Sequence, residues 1–264
     1  MPRFVGVAHI HSTYSFDGKL KLSEIAQLFR SRGVDFVLMS EHIEELPAQR
    51  IREFVRECRQ LSDETFKMIP GIEMDEFHIL LFGVDEPENI EDHRLLREYF
   101  LQRGSVMILS HPIKILDVIS ADVRSRLAGV EVWNSRHDGK GYPRMSNIEL
   151  LRDLRKDGQK LAAICSLDFH SWHDEADIRL EVEAADRSVE GILQALREGK
   201  TRIRKAGKEV PVEHLLVQSG TSLYRIKAVG YRTVYDLAYR IFRGLQRRSL
   251  GVPSRLRHLG RKLF

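Results

Sequence analysis

The chain has 264 residues, 42% of them hydrophobic and 30% charged, which is ordinary for a globular domain. No run approaches the roughly eighteen apolar residues that span a bilayer, and no signal peptide precedes the first apolar segment. These features favour a cytoplasmic protein over a membrane or secreted one. Cys58 and Cys165 fall on apolar faces, which predicts buried thiols and not a disulfide.

Charge is distributed unevenly along the chain. Residues 201–264 hold 15 Lys and Arg against 3 Asp and Glu, whereas residues 1–200 hold 27 against 35. The sequence therefore predicts an acidic body over residues 1–205 and a basic, helical C-terminal extension over residues 206–264.

Apolar segments with strand character alternate with helical patterns along the body. The predicted strands are residues 4–10, 35–40, 66–72, 77–84, 105–110, 129–133, 161–167, 180–184 and 201–204. The predicted helices are residues 22–29, 51–61, 95–104, 119–127, 146–158 and 188–198. This alternation is typical of βαβ units and predicts an α/β fold with a mainly parallel sheet.

Histidines and carboxylates recur where these strands end. His9 and His11 are two residues apart on the first strand, so their imidazoles can point the same way. Six of the eleven histidines occupy such positions: His9, His11, His42, His78, His111 and His170. Core packing does not explain this repetition, because buried ionisable groups are costly unless they are paired or bound to metal.

Taken in order, the motifs resemble those of the PHP family (polymerase and histidinol phosphatase). The motifs that carry the resemblance are His9-x-His11, Asp17-Gly18, Glu41-His42, Gly71-Ile72-Glu73, His111-Pro112 and Asp168-x-His170. The resemblance covers about residues 4–205. It implies a distorted (β/α)7 barrel, metal-dependent phosphoesterase activity and a site for two or three divalent ions.

The resemblance also implies which residues hold each ion. The first position would use His9, His11, Glu73 and Asp168, the second would use Glu73, His78 and His111, and the third would use Asp17, His42 and His170. Mixed imidazole and carboxylate ligands suit Zn²⁺, Mn²⁺ or Fe²⁺ better than Mg²⁺. Within this set His78 is the weakest assignment, because the spacing after Glu73 varies in the family.

The implied reaction is hydrolysis of a phosphate ester on a small phosphorylated molecule, such as a nucleotide or an amino-alcohol phosphate. Paired metals would activate a water molecule as hydroxide and hold the phosphoryl oxygens. The predicted catalytic residues are Asp168, His170 as donor of a proton to the leaving oxygen, and Arg136 as a phosphate contact.

Two other functions stay open at this stage. The first is an oligonucleotide exonuclease of the same fold, and the second is a non-enzymatic metal-binding regulatory module. The basic extension has three interpretations. In the first, its apolar stripe, which includes Val234 and Leu237, docks on the barrel or on a second subunit. In the second its arginines bind nucleic acid, and in the third it lies on an anionic membrane surface.

Overall fold

The computed structural model describes residues 1–88, 90–103, 105–112, 120–156, 158–217 and 223–247. Its strands are β1 (Arg3–Ile10), β2 (Phe36–Met39), β3 (Glu41–His42), β4 (Lys67–Ile69), β5 (Gly71–Met74), β6 (Ile79–Phe82), β7 (Val106–Leu109), β8 (Gly129–Asn134), β9 (Ala162–Ser166), β10 (Ile178–Glu183), β11 (Thr201–Lys205) and β12 (Lys208–Val210). All nine predicted strands are present. Strands β3 and β12 have no counterpart in the prediction, and the predicted strand at 66–72 is divided into β4 and β5.

Helices connect these strands and cover the sheets. They are α1 (Leu22–Ser31), α2 (Ala48–Gln60), α3 (His93–Gln102), α4 (Ala121–Ser125), α5 (Ser135–Asp138), α6 (Met145–Arg155), α7 (Val189–Arg197), α8 (Val212–Val217) and α9 (Leu223–Arg247), with short 3₁₀ turns at Ile43–Glu45 and Trp172–Asp174. The predicted helix at 119–127 corresponds to α4, and its first residue lies outside the described part.

The described strands form two open six-stranded sheets. Their orders are β12-β11-β10-β1-β2-β4 and β3-β5-β6-β7-β8-β9. Half of the ten described ladders are antiparallel. Strand β6 is antiparallel to both of its neighbours, and β10, β11 and β12 form an edge in which each strand, including β10 beside β1, runs antiparallel to the one before it. The mainly parallel sheet expected from the sequence is therefore wrong, and the fold is mixed α/β.

The two sheets meet where strands break and continue. Ser40 separates β2 from β3, and Pro70, which has no N–H to donate, separates β4 from β5. On the other side, the Leu167 amide donates to the Ala8 carbonyl at 3.0 Å and the His11 amide donates to the Phe169 carbonyl at 2.9 Å. These bonds join the end of β9 to β1, but the described ladders do not by themselves confirm the distorted barrel that the resemblance implied.

In the sequence, Thr233-x-x-Asp236 resembles a capping box and predicts a helix that starts at Thr233, but the C-terminal helix α9 begins ten residues earlier. Thr233 lies within the helix, and its hydroxyl donates to the Val229 carbonyl at 3.1 Å. A threonine can bond backward along a helix in this way as well as cap one, so the capping pattern was misleading. Asp236 pairs with Arg232 one turn earlier and is not a cap partner.

Helix α9 docks on the body through tyrosines and not through the predicted apolar stripe. Tyr235 is buried, whereas Val234 and Leu237 are 56% and 60% exposed. The side chains of Ile241, Phe242 and Leu245 and the basic stretch at 255–262 lie outside the described part. No helix in the described part is apolar over the length that a bilayer crossing needs.

Candidate metal centre

The ends of five strands carry the predicted ligands, and their side chains converge on one buried cluster. These residues are His9 and His11 at the end of β1, His42 in β3, Glu73 in β5, His111 after β7, and Asp168 and His170 after β9. Strands that run in one direction bring their carboxyl ends to the same edge, where the loops leave room for a site.

Glu73 lies at the centre of the cluster. Its Oε2 is 3.0 Å from His9 Nε2 and 3.4 Å from His11 Nε2, and its Oε1 is 3.2 Å from His111 Nε2. One carboxylate that reaches three imidazoles with two oxygens has the placement needed to bridge two ions. The bridging role that the resemblance implied for Glu73 stays a prediction.

A second group of ligands lies on one side of Glu73. His170 Nε2 is 2.8 Å from Asp17 Oδ2, and His42 Nε2 is 3.6 Å from Asp17 Oδ1. The His11 ring stacks on the His170 ring at 4.2 Å between centroids. Ligand atoms of these four residues all lie within 4.8 Å of one another. These four residues, three of which were predicted for the third ion, could therefore hold a metal ion together.

Asp168 lies near His9, with 4.0 Å between Asp168 Oδ1 and His9 Nε2. Donor atoms of His9, His111 and Asp168 also fall within 4.8 Å of one another. His78 lies further out. Its ring is 5.0 Å from that of His111, but it joins none of the described donor clusters. Its assignment remains the weakest of the nine predicted ligands.

Backbone strain is concentrated at these residues. Five non-glycine residues in the described part have positive φ angles, and four of them are predicted ligands: His9, His78, His111 and Asp168, at 63°, 47°, 23° and 52°. Such conformations cost roughly 1–3 kcal/mol each and persist where the surrounding structure imposes them. The strand ends are therefore bent to aim side chains into the cluster.

Burial and the charges within the cluster shift the pKa values of its members in different directions. Burial alone would lower the pKa of His9, but the carboxylates of Glu73 and Asp168 raise it well above its usual value. Burial and the charge on His9 lower the pKa of His11. Burial opposes ionisation of Glu73, but the charge on His9 holds the pKa of that carboxyl well below its usual value. His11 is therefore neutral, the form in which an imidazole binds metal.

Several buried side-chain nitrogen and oxygen atoms in the cluster have no hydrogen-bond partner within the described part. They include His11 Nε2 and Asp17 Oδ1. Buried polar atoms in native proteins are nearly always satisfied, so those that are not need an explanation. Neutral imidazole and carboxylate oxygen are suitable ligands for Zn²⁺, Mn²⁺ or Fe²⁺, so the residues present fit the predicted ions.

Three contributors were not among the predicted site residues. Glu131 accepts from His9 Nδ1 at 2.9 Å, Asp75 Oδ1 lies 2.9 Å from His42 Nδ1, and His137 Nε2 lies 3.1 Å from Asp168 Oδ2. A charged residue in the middle of the apolar strand at 129–133 was a usable signal for Glu131, because a buried carboxylate needs a partner. Asp75 lies on a turn and His137 in the four-residue helix α5, and both are too short for periodicity to indicate which way a side chain points.

The predicted phosphate contact, Arg136, reaches the cluster from α5. Its Nη1 is 2.8 Å from His170 Nδ1 and 3.5 Å from Asp174 Oδ2. The neighbouring Lys140 donates instead to the carbonyls of His173 and Glu175. Of the basic residues on this loop, Arg136 is thus the one placed directly beside the predicted ligands.

A family model described as "PHP domain" matches residues 8–201 of the chain. The chain belongs to the PHP domain family. The resemblance inferred from the sequence motifs is therefore confirmed, and it covers the residues that form the cluster. The matched range of the PHP domain ends inside β11, before β12, α8 and α9, so the predicted boundary at residue 205 stays a prediction.

Known proteins with a similar sequence or fold include one curated relative and two solved structures. A "Probable histidinol-phosphatase" from Thermotoga maritima is 27% identical over 123 residues, which cover 41% of this chain and 53% of that protein. The chain therefore matches about half the length of that relative.

The two structures share the fold. A two-domain protein from Bacteroides vulgatus containing a predicted PHP-like metal-dependent phosphoesterase aligns with a TM-score of 0.61 at 17% identity, over 81% of this chain and 69% of that one. PsfC from Pseudomonas syringae aligns with a TM-score of 0.51 at 16% identity, over 89% and 99% of the two chains. At these identities the likeness is one of fold alone.

Proposed function

We propose that this PHP domain is a metal-dependent phosphoesterase that hydrolyses a small phosphorylated molecule. The observation that carries the proposal is the convergence of buried imidazoles and carboxylates around Glu73. Two atoms among them, His11 Nε2 and Asp17 Oδ1, have no hydrogen-bond partner in the described part. Membership of the PHP family and the phosphoesterase description of the Bacteroides neighbour support the same class of hydrolase.

Two or three divalent ions would be held by the nine predicted ligands. Such ions, when bound, supply a Lewis acid and lower the pKa of water near the phosphorus. The proposed positions are His9, His11, Glu73 and Asp168; then Glu73, His78 and His111; then Asp17, His42 and His170. The number of ions and the choice among Zn²⁺, Mn²⁺ and Fe²⁺ stay predictions.

The side chains around the ligands have distinct proposed tasks. Glu131 holds the Nδ1 side of the His9 ring, so that Nε2 faces Glu73. Arg136 lies beside His170 with a guanidinium suited to two phosphoryl oxygens. Where it does not hold an ion, the buried His170, whose Nε2 lies 2.8 Å from Asp17 Oδ2, is the proposed donor of a proton to the leaving oxygen.

The proposed substrates are amino-alcohol phosphates and nucleotides. The partial match to a histidinol-phosphatase favours the former, since histidinol phosphate is an amino-alcohol phosphate. We also propose that the two sheets form the distorted (β/α)7 barrel, because the chain passes from one sheet to the other at Ser40 and Pro70 and bonds between the end of β9 and β1 join them on the other side. A cytoplasmic location stays a prediction.

An oligonucleotide exonuclease is the second candidate, and the basic extension is the observation that favours it. A chain ending after Val217 would keep the β11–β12 hairpin and remove α9. If the extension binds nucleic acid or anionic vesicles, removing it abolishes salt-sensitive binding. The comparisons support neither partner, and the assembled ligand set argues against a non-enzymatic role.

The deciding experiment is phosphate release with added Mn²⁺ from mononucleotides, nucleotide bisphosphates, histidinol phosphate, sugar phosphates and short oligonucleotides. We expect release from small phosphomonoesters, and at least a hundredfold loss in the Asp168→Ala protein. Full activity and metal content in that variant would refute the proposal. Preference for oligonucleotides would favour the exonuclease, and no release from any substrate by metal-loaded protein would contradict the leading proposal.

A further inference from the structure

A cavity of about 540 Å³ lies between α5 and α9. Its walls carry three arginines, one histidine and one carboxylate: Arg136, His137, Arg144, Arg232 and Asp236. Counting the formal charges of these side chains with a neutral histidine, the lining is positive by two. A cavity of this size and charge is suited to an anionic group of a small molecule.

The cavity shares two side chains with the candidate metal centre. Arg136 Nη1 lies 2.8 Å from His170 Nδ1, and His137 Nε2 lies 3.1 Å from Asp168 Oδ2. These two residues therefore contact predicted ligands and also line the cavity. A molecule bound at the metal centre has this positive cavity as its immediate neighbour.

Helix α9 supplies the opposite wall and holds α5 in place. Tyr235 donates its hydroxyl to the Arg136 carbonyl at 3.3 Å, and Arg232 Nη1 donates to the His137 carbonyl at 3.2 Å. Both residues lie beyond residue 201, where the match to the PHP family ends. The cavity is thus formed jointly by the family domain and by this chain's own extension.

The arginines of the cavity differ in how firmly their charges are held. Arg144 Nε lies 2.7 Å from Asp138, which is buried at 2% exposure, so this pair is structural. Arg232 pairs with Asp236, whose side chain is 45% exposed, and its Nη1 also lies 3.7 Å from Oδ1 of the buried Asp138. An exposed ion pair contributes little free energy, so an incoming anion can compete with Asp236 for Arg232.

We propose that this cavity is a subsite for a second anionic group of the substrate, with Arg232 as its specificity-determining residue. The inference rests on the proposed function, because it places the reacting phosphate at the metal centre. Under this proposal the C-terminal extension selects substrates that carry two anionic groups over those that carry one.

Binding of non-hydrolysable probes tests the subsite separately from catalysis. Calorimetry on the full-length, Mn²⁺-loaded protein would compare alkyl monophosphonates with alkane-α,ω-bisphosphonates of three to six carbons. We expect at least one bisphosphonate to bind about tenfold tighter than its monophosphonate. The preference falls to near unity in Arg232→Gln and is largely retained in Arg232→Lys. Arg240→Gln, which removes an exposed charge of the same helix outside the cavity, keeps the preference.

Asp236→Asn separates an anion site from a structural ion pair. If Arg232 only stabilises α9 through Asp236, this variant weakens bisphosphonate binding as Arg232→Gln does. If Arg232 binds the anion, removing its competitor strengthens binding several-fold. Equal affinity of mono- and bisphosphonates in the wild type, or the same direction of change in both variants, would overturn the subsite. Tight bisphosphonate binding without hydrolysis of any ester would instead refute the proposed function and leave the subsite in place.

Discussion

Glu131 organises the candidate metal centre although it is not itself one of the predicted ligands. One of its oxygens accepts from His9 Nδ1 at 2.9 Å, and the other accepts from the His111 amide at 2.7 Å. Burial opposes its ionisation, but the charge on His9 lowers the pKa of the Glu131 carboxyl, so it remains an anion. A carboxylate behind a ligating imidazole fixes the ring and makes it a stronger ligand.

Replacing Glu131 with glutamine is expected to weaken metal binding by roughly 10–100-fold, the usual cost of losing such a partner. The amide keeps the shape and one acceptor for His9 but removes the negative charge, so the fold is retained. Competition with a chelating dye measures the affinity, and circular dichroism checks the fold. Glu98→Gln, on an exposed face of α3, is the matched control. Equal metal affinity in the two variants would contradict this role for Glu131.

The two cysteines are expected to be unreactive in the native protein. Cys58 and Cys165 are both buried thiols that form no disulfide, as the sequence predicted. Burial raises the pKa of each thiol, so the nucleophilic thiolate is scarce at neutral pH. We expect no reaction with a thiol reagent in native protein and two equivalents in denaturant. Rapid labelling of a native thiol would contradict the described packing.

At the level of elements, the contact between α9 and the loop after β8 depends on two glycines. A methyl group at Gly139 would lie 2.4 Å from the Tyr231 hydroxyl, and one at Gly141 would lie 2.3 Å from the Tyr231 ring. Gly139 also has φ of 81°, which side chains rarely adopt. The tyrosines of α9 can approach the backbone closely only because both positions lack a side chain.

Gly139→Ala is therefore expected to destabilise the protein by about 2–4 kcal/mol, from backbone strain plus the clash with tyrosines. Gly207→Ala is the matched control, because Gly207 has φ of 74° but open space around it. In the control, backbone strain alone lowers the free energy of unfolding, by about 1–2 kcal/mol. Denaturant unfolding measures both. A loss in Gly139→Ala no larger than in the control would argue against the docking of α9.

For the whole molecule, the candidate metal centre links strands of both sheets. His9 and His11 come from the sheet that contains β1, whereas Glu73 and His42 come from the sheet that contains β3. A bound ion would therefore connect the two sheets at the point where they meet. Since an unfolded chain cannot assemble this cluster, metal binding adds to the free energy of unfolding.

Removing metal is expected to lower the melting temperature by roughly 5–10 °C. An ion at 100 times its dissociation constant stabilises the native state by about 2.7 kcal/mol, and each kcal/mol shifts the midpoint of a chain of this size by about 2–4 °C. Calorimetry before and after treatment with a chelator, followed by return of Mn²⁺, measures the effect. His9→Ala should show a smaller response, and an unchanged wild-type midpoint would argue against an ion joining the sheets.

Much of the fold and of the site could be predicted because the informative patterns are local. Apolar runs identified nine strands, and the residues at their ends predicted most of the side chains that the structure brings together in the cluster. The relative directions of the strands could not be predicted from these patterns, because the antiparallel direction of β6 depends on the strands that it pairs with. The start of α9 was missed because Thr233 can bond within a helix as well as cap one.

The sequence by itself determined the family and predicted the ligand set, because chemistry-bearing side chains recur at strand ends in a fixed order. Only the tertiary structure decided that Glu131 supports His9, that tyrosines and not the apolar stripe dock α9, and that α9 forms a cavity beside the ligands. These features join residues roughly 95 to 120 positions apart in the chain, as from Arg136 to Tyr235 and from His9 to Glu131. Helical or strand periodicity records which way a side chain faces, but it carries no information about the distant segment that packs against it.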